Sequence, residues 1–298
     1  MRVLIIGIGY IGLPLGAELA RRGHAVSGLR RNASGAPALH AAGIHPMIAD
    51  ITRAADLAKL PNDFDWVVNC VASGGGSAED YRKVYREGMR NLIEWLASDR
   101  RDVGGPRLIY TSSTSVYGQN DGSLVDEKSP VQPASETARL LLETERVLLD
   151  AASQKNFTAV VLRVAGIYGP ERGYWFKQFV NGEARLDGNG SRFLNMIHRD
   201  DVVGCIIAAL EHGAGGEIYN AVDNEPVSQV DFFSWLASSM KRPMPAAAAG
   251  SVEATRKRGI TNKRISNHKL KTQLGYSFKY PTFREGFAAA VQESLRAG

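Results

Sequence analysis

Apolar positions in the first half of the chain fall into short runs separated by longer stretches with helical periodicity. RVLIIG is followed by LPLGAELARRG, then HAVSGLR, HPMIAD, DWVVNCVA, the amphipathic stretch YRKVYREGMRNLIEWLAS, and RLIYTSS. Short runs that are apolar throughout, rather than alternately polar, suit strands covered on both faces. Their separation by helix-length segments predicts βαβ units and a parallel sheet. VQPASETARLLLETERVLLDAAS predicts a further helix, and FTAVVLRVAGIYG a further strand. Beyond these the rhythm loosens. RFLNMIH reads as strand, RDDVVGCIIAALEH as helix, GEIYNAV as strand and VSQVDFFSWLASSM as helix. KRPMPAAAAGS is an irregular connector, and PTFREGFAAAVQESLRAG ends the chain as a helix. Pro281 lies near the start of that helix, where a missing amide hydrogen costs nothing.

The 298 residues, 44% hydrophobic and 22% charged, are those of an ordinary globular protein. Cys70 and Cys205 are too few for a disulfide framework and form no metal-ligand spacing, so buried thiols and no metal site are expected. Met1 leads straight into the first strand, and no apolar run approaches the ~20 residues of a membrane span. The expected compartment is therefore the cytoplasm, with no membrane partner. The net charge of +5 is concentrated in RKRGITNKR (256–264), HKLK (268–271) and the pair Arg30-Arg31. No groove-reading motif accompanies it, so no nucleic acid is expected. The basic runs read as solvated surface, or as a place for an anionic small ligand.

GIGYIG (7–12) closes the first strand and opens the first helix. In that setting Gly7 permits the turn, Gly9 lets a pyrophosphate approach the backbone, and Gly12 allows close helix–strand packing. Tyr10 and Ile11 lie between them, where the helix's first amide hydrogens face the anion. The fold class this implies is α/β, a Rossmann-type doubly wound parallel sheet. The next strand ends not in a carboxylate but in Arg30 and Arg31. A carboxylate would accept hydrogen bonds from the ribose hydroxyl of NAD, whereas guanidinium groups pair with the extra phosphate of NADP. The expected cofactor is NADP, with NAD the alternative.

Six motifs then occur in one order: GIGYIG, Asp50-Ile51 after the third strand, YTSSTSVYG (110–118), LRVAGIYGP (162–170), NMIHRDDV (195–202) and EIYNAVDNEP (217–226). Together they resemble the extended short-chain dehydrogenase/reductases, specifically the NAD-dependent epimerase/dehydratase family. The resemblance runs the length of the chain, since LGYSFKYPTFREGF (274–287) is similar to that family's C-terminal segment. It implies a dinucleotide-binding domain over 1–169 and a smaller C-terminal substrate-binding lobe over 170–298, parts of about 198–225 returning to the core. By the same resemblance Asp50 and Ile51 contact the adenine, and Ala72 and Ser73 run beside the cofactor. Ser113 orients the substrate, Tyr117 forms a wall of its pocket, and Arg163 to Gly169 form a loop near the nicotinamide. A homodimer through helices at about 79–98 and 134–154 is also implied, and the apolar run LLLETERVLL permits it.

The family's Tyr-x-x-x-Lys pair is absent. Counted back from Glu143, the lysine place falls on Arg139 and the tyrosine place on Ser135. Arg139 can hold a ribose hydroxyl, but Ser135 cannot serve as a phenol does and reads as a helix cap. The family's active-site asparagine is replaced by Tyr85. In the lobe, GPERGYWF joins Glu171 and Arg172 to an aromatic cluster. Arg185 and Arg192 flank the turn GNGS, so that Arg172, Arg185 and Arg192 are candidate anchors for an anionic substrate. His198 reads as a structural histidine and Asp201 as a helix-start carboxylate. The combined expectation is an NADP-preferring oxidoreductase or epimerase-like protein acting on a small polar or anionic carbonyl or sugar-type molecule. The competing expectation is a non-catalytic, NADP-binding sensor of the same fold.

Overall fold

The computed structural model describes residues 1–73, 76–98, 104–248 and 261–297. The first half contains β1 (Arg2–Ile6), α1 (Gly12–Arg21), β2 (Ala25–Arg30), α2 (Ala36–Ala41), β3 (Ile44–Ile48), α3 (Ala54–Leu57) and β4 (Trp66–Asn69). A continuous helical stretch follows, made of α4 (Ala78–Tyr81), a π-helical segment (Arg82–Glu87) and α5 (Gly88–Ala97). Next come β5 (Arg107–Ser113), a 3-10 turn (Thr114–Val116), β6 (Asn120–Val125), α6 (Glu136–Gln154), β7 (Thr158–Val164) and β8 (Gly166–Tyr168). The remainder holds α7 (Tyr174–Val180), β9 (Phe193–Leu194), β10 (Met196–His198), α8 (Arg199–His212), β11 (Ile218–Ala221), β12 (Val227–Ser228) and α9 (Gln229–Met240). It ends with β13 (Asn262–Ile265), α10 (His268–Leu274) and α11 (Phe283–Ala297).

Seven strands form one parallel sheet in the order β11-β7-β5-β4-β1-β2-β3. The apolar runs explain it: Val3, Leu4, Ile5, Val67, Val68, Leu108, Ile109 and Val160 to Leu162 are all sealed from solvent. α8 packs on α1, and α6 on α5, each pair lying against the strands. The chain moves outward from β1 through β2 and β3, then returns beside β1 as β4 and continues the other way. The crevice beyond the carboxyl ends of β1 and β4 is the place where such a sheet receives a ligand.

A second core of Phe179, Leu194, Phe232, Phe233, Phe283 and Phe287 makes the smaller lobe. The lobe is interleaved with the sheet. α8 and β11 return to the main core, and β6 from the first half leaves the sheet to pair with β13. The single strand expected over FTAVVLRVAGIYG divides at Ala165. Its amide donates to Ala221 in β11, while the Gly166 amide donates to Asn195, so β8 crosses over to β10. The helix expected from residue 131 starts at Glu136. Pro133 disfavours helical geometry in the residue before it, and Ser135 caps the helix by accepting from the Ala138 amide at 3.2 Å. The run LLLETERVLL does not form an outward apolar face. Leu140, Leu141, Leu142 and Leu148 are buried in the chain's own core, and the outward positions on α5 and α6 include Arg90, Glu94, Arg139 and Arg146.

Candidate active site

Two adjoining cavities lie at the crevice, and they share Ala165, Gly166, Ile167, Gly173 and Tyr174 as a common wall. The larger, about 820 Å³, is lined by Gly7, Gly9, Tyr10 and Ile11 of the glycine turn, by Arg30, Arg31 and Asn32, and by Asp50, Ile51 and Ala72. A dinucleotide fits what these residues offer. A Cβ at Gly9 would meet nothing within 4 Å, so the backbone there is open to a ligand, whereas Gly12 is pressed against the Gly7 carbonyl. Thr111 and Ser112 of β5 form part of the same wall. Ser73 lies outside the lining, its amide donating to the Tyr85 hydroxyl at 3.3 Å. Tyr85 itself faces the larger cavity from the π-helical segment.

At the adenine end, the Arg30 guanidinium lies against Gly35 in the loop after β2. Burial works to raise the Asp50 carboxyl. Its hydrogen bonds from the Thr52 amide and hydroxyl, with the Arg31 charge, prevail and hold it below its ordinary value. Arg172 belongs to this larger cavity rather than to the substrate side. Its guanidinium stands 5.0 Å from the Tyr10 ring centre, while the Tyr10 hydroxyl donates to the Pro170 carbonyl at 3.0 Å.

The smaller cavity, about 280 Å³, is lined by Ser113, Tyr168, Trp175, Arg192, Asn195 and Lys263 among others. Ser113 is buried, and its hydroxyl accepts from the Ser115 amide at 3.2 Å. Arg192 pairs with Asp187 at 2.6 Å and lies 5.4 Å from the Trp175 ring centre. Arg185 is outside both cavities. It is exposed, and its guanidinium is turned back onto the carbonyls of Gly182 and Ala184.

Other expected positions also move. Tyr117 is no wall: it is 0% exposed, donating its hydroxyl proton to Asn220 at 2.9 Å and accepting from Arg163 at 2.9 Å. Burial raises this phenol above its ordinary range despite the arginine beside it. Arg163 is not in a loop but in β7, buried and paired with Glu145 at 2.7 Å. Glu143 is half exposed and reaches Arg86 at 3.4 Å, so the inward-facing glutamate of α6 is Glu145. Counting back from it by fours gives Leu141 and Thr137, both buried, whereas Arg139 is exposed and lines neither cavity. Neither register supplies a tyrosine and a lysine. Sequence reasoning missed Lys263, which sat in a basic run read as solvated surface.

His198 holds the lobe junction. Its ring lies 3.8 Å from that of Tyr280, and its Nδ1 accepts from the Asp200 amide at 3.2 Å, capping α8. Asp201 accepts from the Tyr276 hydroxyl at 2.8 Å and from the amides of Lys279 and Tyr280. Burial lowers His198 to about 4, the nearby Asp200 only partly opposing it. The unfolded chain, with an ordinary histidine near 6.5, therefore binds more protons between those values. Stability from this residue is full above pH ~6.5 and declines as the pH falls toward 4, by about 2–3 kcal/mol in all. His198→Asn keeps an oxygen to cap α8 and removes the titration. Urea unfolding at pH 7 and pH 4.5 is expected to show a smaller loss in the variant, and equal losses would refute the assignment.

Residues 3–221 match the model of the NAD dependent epimerase/dehydratase family. The chain belongs to that family. Protein YeeZ of Escherichia coli K12 is similar to it at 29% identity, covering 94% of this chain and 96% of YeeZ. The 3-diazoavenalumate denitrifying reductase of a Streptomyces species is 28% identical, over 96% of this chain and 99% of that enzyme. A solved structure from Methylobacillus flagellatus, assigned to the NAD-dependent epimerases/dehydratases, superposes with a TM-score of 0.77 at 31% identity, covering 99% of this chain and 98% of its own. Among the described residues, no group of three or more His, Cys, Asp or Glu side chains is placed to hold a metal ion, and no helix is long and apolar enough to cross a membrane.

Proposed function

We propose that this family member is an NADP-dependent reductase of a small polar or anionic carbonyl compound. The observation that carries the reading is the pair of adjoining cavities. The larger has the size of a cofactor site and ends in two arginines; the smaller joins it through Ala165 to Ile167 and carries Ser113 and Arg192. When bound, the dinucleotide supplies a hydride at that junction. Ser113 then orients the substrate's oxygen, Arg192 meets an anionic substituent, and Trp175 and Tyr168 exclude water around it. A cavity of about 280 Å³ favours a small compound over a sugar carrying a nucleotide. The similarity to a reductase of a diazo compound supports reductive chemistry on a small molecule.

The cofactor preference rests on Arg30 and Arg31, each able to add about 1.5–3 kcal/mol through a charge-assisted bond to the 2′-phosphate. Dissociation constants for NADPH and NADH, measured by fluorescence, are expected to favour NADPH at least about ten-fold. Arg30→Ala should remove most of that ratio while sparing NADH binding. Equal affinities in the parent protein would exclude the preference. The absent tyrosine and lysine favour a second reading, a non-catalytic NADP-binding sensor. Tight NADPH binding without oxidation by any of a panel of aldehydes and ketones would select it.

A further inference from the structure

We infer that Lys263 hands the proton to the substrate's oxygen in the smaller cavity, the task that α6 has no group to perform. This rests on the reductase reading above.

Three features of its placement support the role. Lys263 is 4% exposed, yet no carboxylate is among the described residues lining the cavity it faces. Its ammonium donates to the Tyr117 carbonyl at 2.7 Å and to the Thr261 hydroxyl at 2.6 Å. An ammonium has three hydrogens, and these two bonds use two of them on a residue that lines the cavity. The Tyr117 amide closes the 3-10 turn that begins after Ser113 by donating to the Thr114 carbonyl, and the carbonyl of the same residue accepts from Lys263, so one short turn holds both the serine and the lysine's anchor.

The backbone is shaped for this. The pairing of β13 with β6 shifts register between Asn262 and Arg264, placing Lys263 at the irregularity. The extra residues are on β6, between Asn120 and Leu124, while β13 keeps the alternation that turns Lys263 and Ile265 inward and Arg264 outward. The Asn195 side chain then clamps the strand on both sides, donating to the Lys263 carbonyl at 2.9 Å and accepting from the Ile265 amide at 2.9 Å. Held in this way, the ammonium has little freedom to swing out to water. A buried cation without a counter-charge is costly unless it meets an anion or gives up its proton.

Burial alone lowers Lys263 to about 8, close enough to neutrality for both protonation states to be accessible. The other titratable groups on the cavity wall are Arg192, Tyr168 and Tyr174, while Arg264 on the same strand is turned outward to the Gly122 carbonyl. In the step itself, the carbonyl carbon gains a hydride and the bound dinucleotide is oxidised. An Nζ–H bond of Lys263 breaks as the substrate O–H bond forms. The neutral amine left behind regains its proton from water, and the product is the alcohol.

The test uses the full-length protein with 4-carboxybenzaldehyde, an anionic aromatic carbonyl small enough for the cavity. In one arm, cyanoborohydride at pH 8 traps the imine between the probe and any lysine it meets, and peptide mapping locates it. Lys263 is expected to be labelled ahead of the surface lysines, and its absence among the labelled sites would overturn the proposal. In the second arm, NADPH oxidation is followed for Lys263→Met and Lys263→Arg. Both should lose about 10²–10⁴-fold in kcat with a far smaller change in KM. The wild-type decline in kcat above pH ~8, where the ammonium is lost, should be absent from the arginine variant, whose cation does not titrate there. NADPH binding and Tm of the variants confirm folding; if the methionine form fails this check, the arginine form decides. Wild-type turnover that survives both substitutions overturns the lysine alone. Labelling without any NADPH oxidation by the wild type removes the reductase reading, and the proton step with it.

Discussion

Glu145→Leu will destabilise the protein by about 3–5 kcal/mol, the loss expected when a buried ion pair is broken from one side. The Glu145 and Arg163 side chains are 1% and 3% exposed. The carboxylate accepts from Arg163 Nη2 at 2.7 Å and Nε at 3.1 Å, and also from the Ser112 hydroxyl. The same guanidinium donates to the Tyr117 hydroxyl, which donates on to Asn220. One network thus ties α6 to β5, β7 and β11. Removing the carboxylate leaves a full positive charge in the core with no acceptor on one edge. Because a domain is stable by only about 5–15 kcal/mol, the loss is a large part of the whole. The double variant Glu145→Leu/Arg163→Met removes both charges and should recover much of it, since apolar replacements of a buried pair are often close to neutral. Equilibrium urea unfolding measures both. A single-variant loss under ~1 kcal/mol would show that water reaches Arg163 and that the network is not a core element.

This network also shows where the sequence stops being readable. The alternation of apolar runs and amphipathic stretches is enough to place β1 to β5, because strands buried on both faces leave a pattern that survives without tertiary information. The glycine turn is legible for the same reason: strand, turn and helix are contiguous. The register of α6 is not. Glu143 and Glu145 both sit in a helical pattern, and only the partner on β7 tells which one faces inward. Tyr117 was expected to wall the substrate from the resemblance of YTSSTSVYG to the family's motif. Its bond to Asn220 spans 103 residues, and no local pattern reports that. Lys263 fails in the opposite direction. Charge density in RKRGITNKR suggests a solvated surface, yet the short strand alternates, exposing Arg264 and burying Lys263 and Ile265. Pairing with β6, an element no periodicity announced, makes that alternation matter.

Gly12→Ala should weaken dinucleotide binding severely, raising the NADPH dissociation constant by about 10²-fold or more, a loss of at least roughly 2.7 kcal/mol. A Cβ at this position would stand 2.3 Å from the Gly7 carbonyl oxygen and 3.3 Å from the Ile5 side chain. Backbone, unlike a flexible side-chain end, cannot step aside cheaply. Gly7 has no room to give either, since it is held at φ +93° with its own Cβ position 2.8 Å from the Val71 backbone, just past the end of β4. The turn and the first turn of α1 would have to part, and with them the amide hydrogens that face the pyrophosphate. Gly9→Ala provides the contrast. Nothing lies within 4 Å of its Cβ, so the protein should fold with unaltered Tm. Its methyl group would nevertheless enter the space where the pyrophosphate approaches, and NADPH affinity should fall. Calorimetric Tm together with NADPH titration separates the two: Gly12→Ala lowers both stability and affinity, Gly9→Ala affinity alone. A Gly9→Ala protein with parental affinity would mean that the phosphates pass elsewhere, and Arg172 above Tyr10 would then lose its reason for facing the cavity.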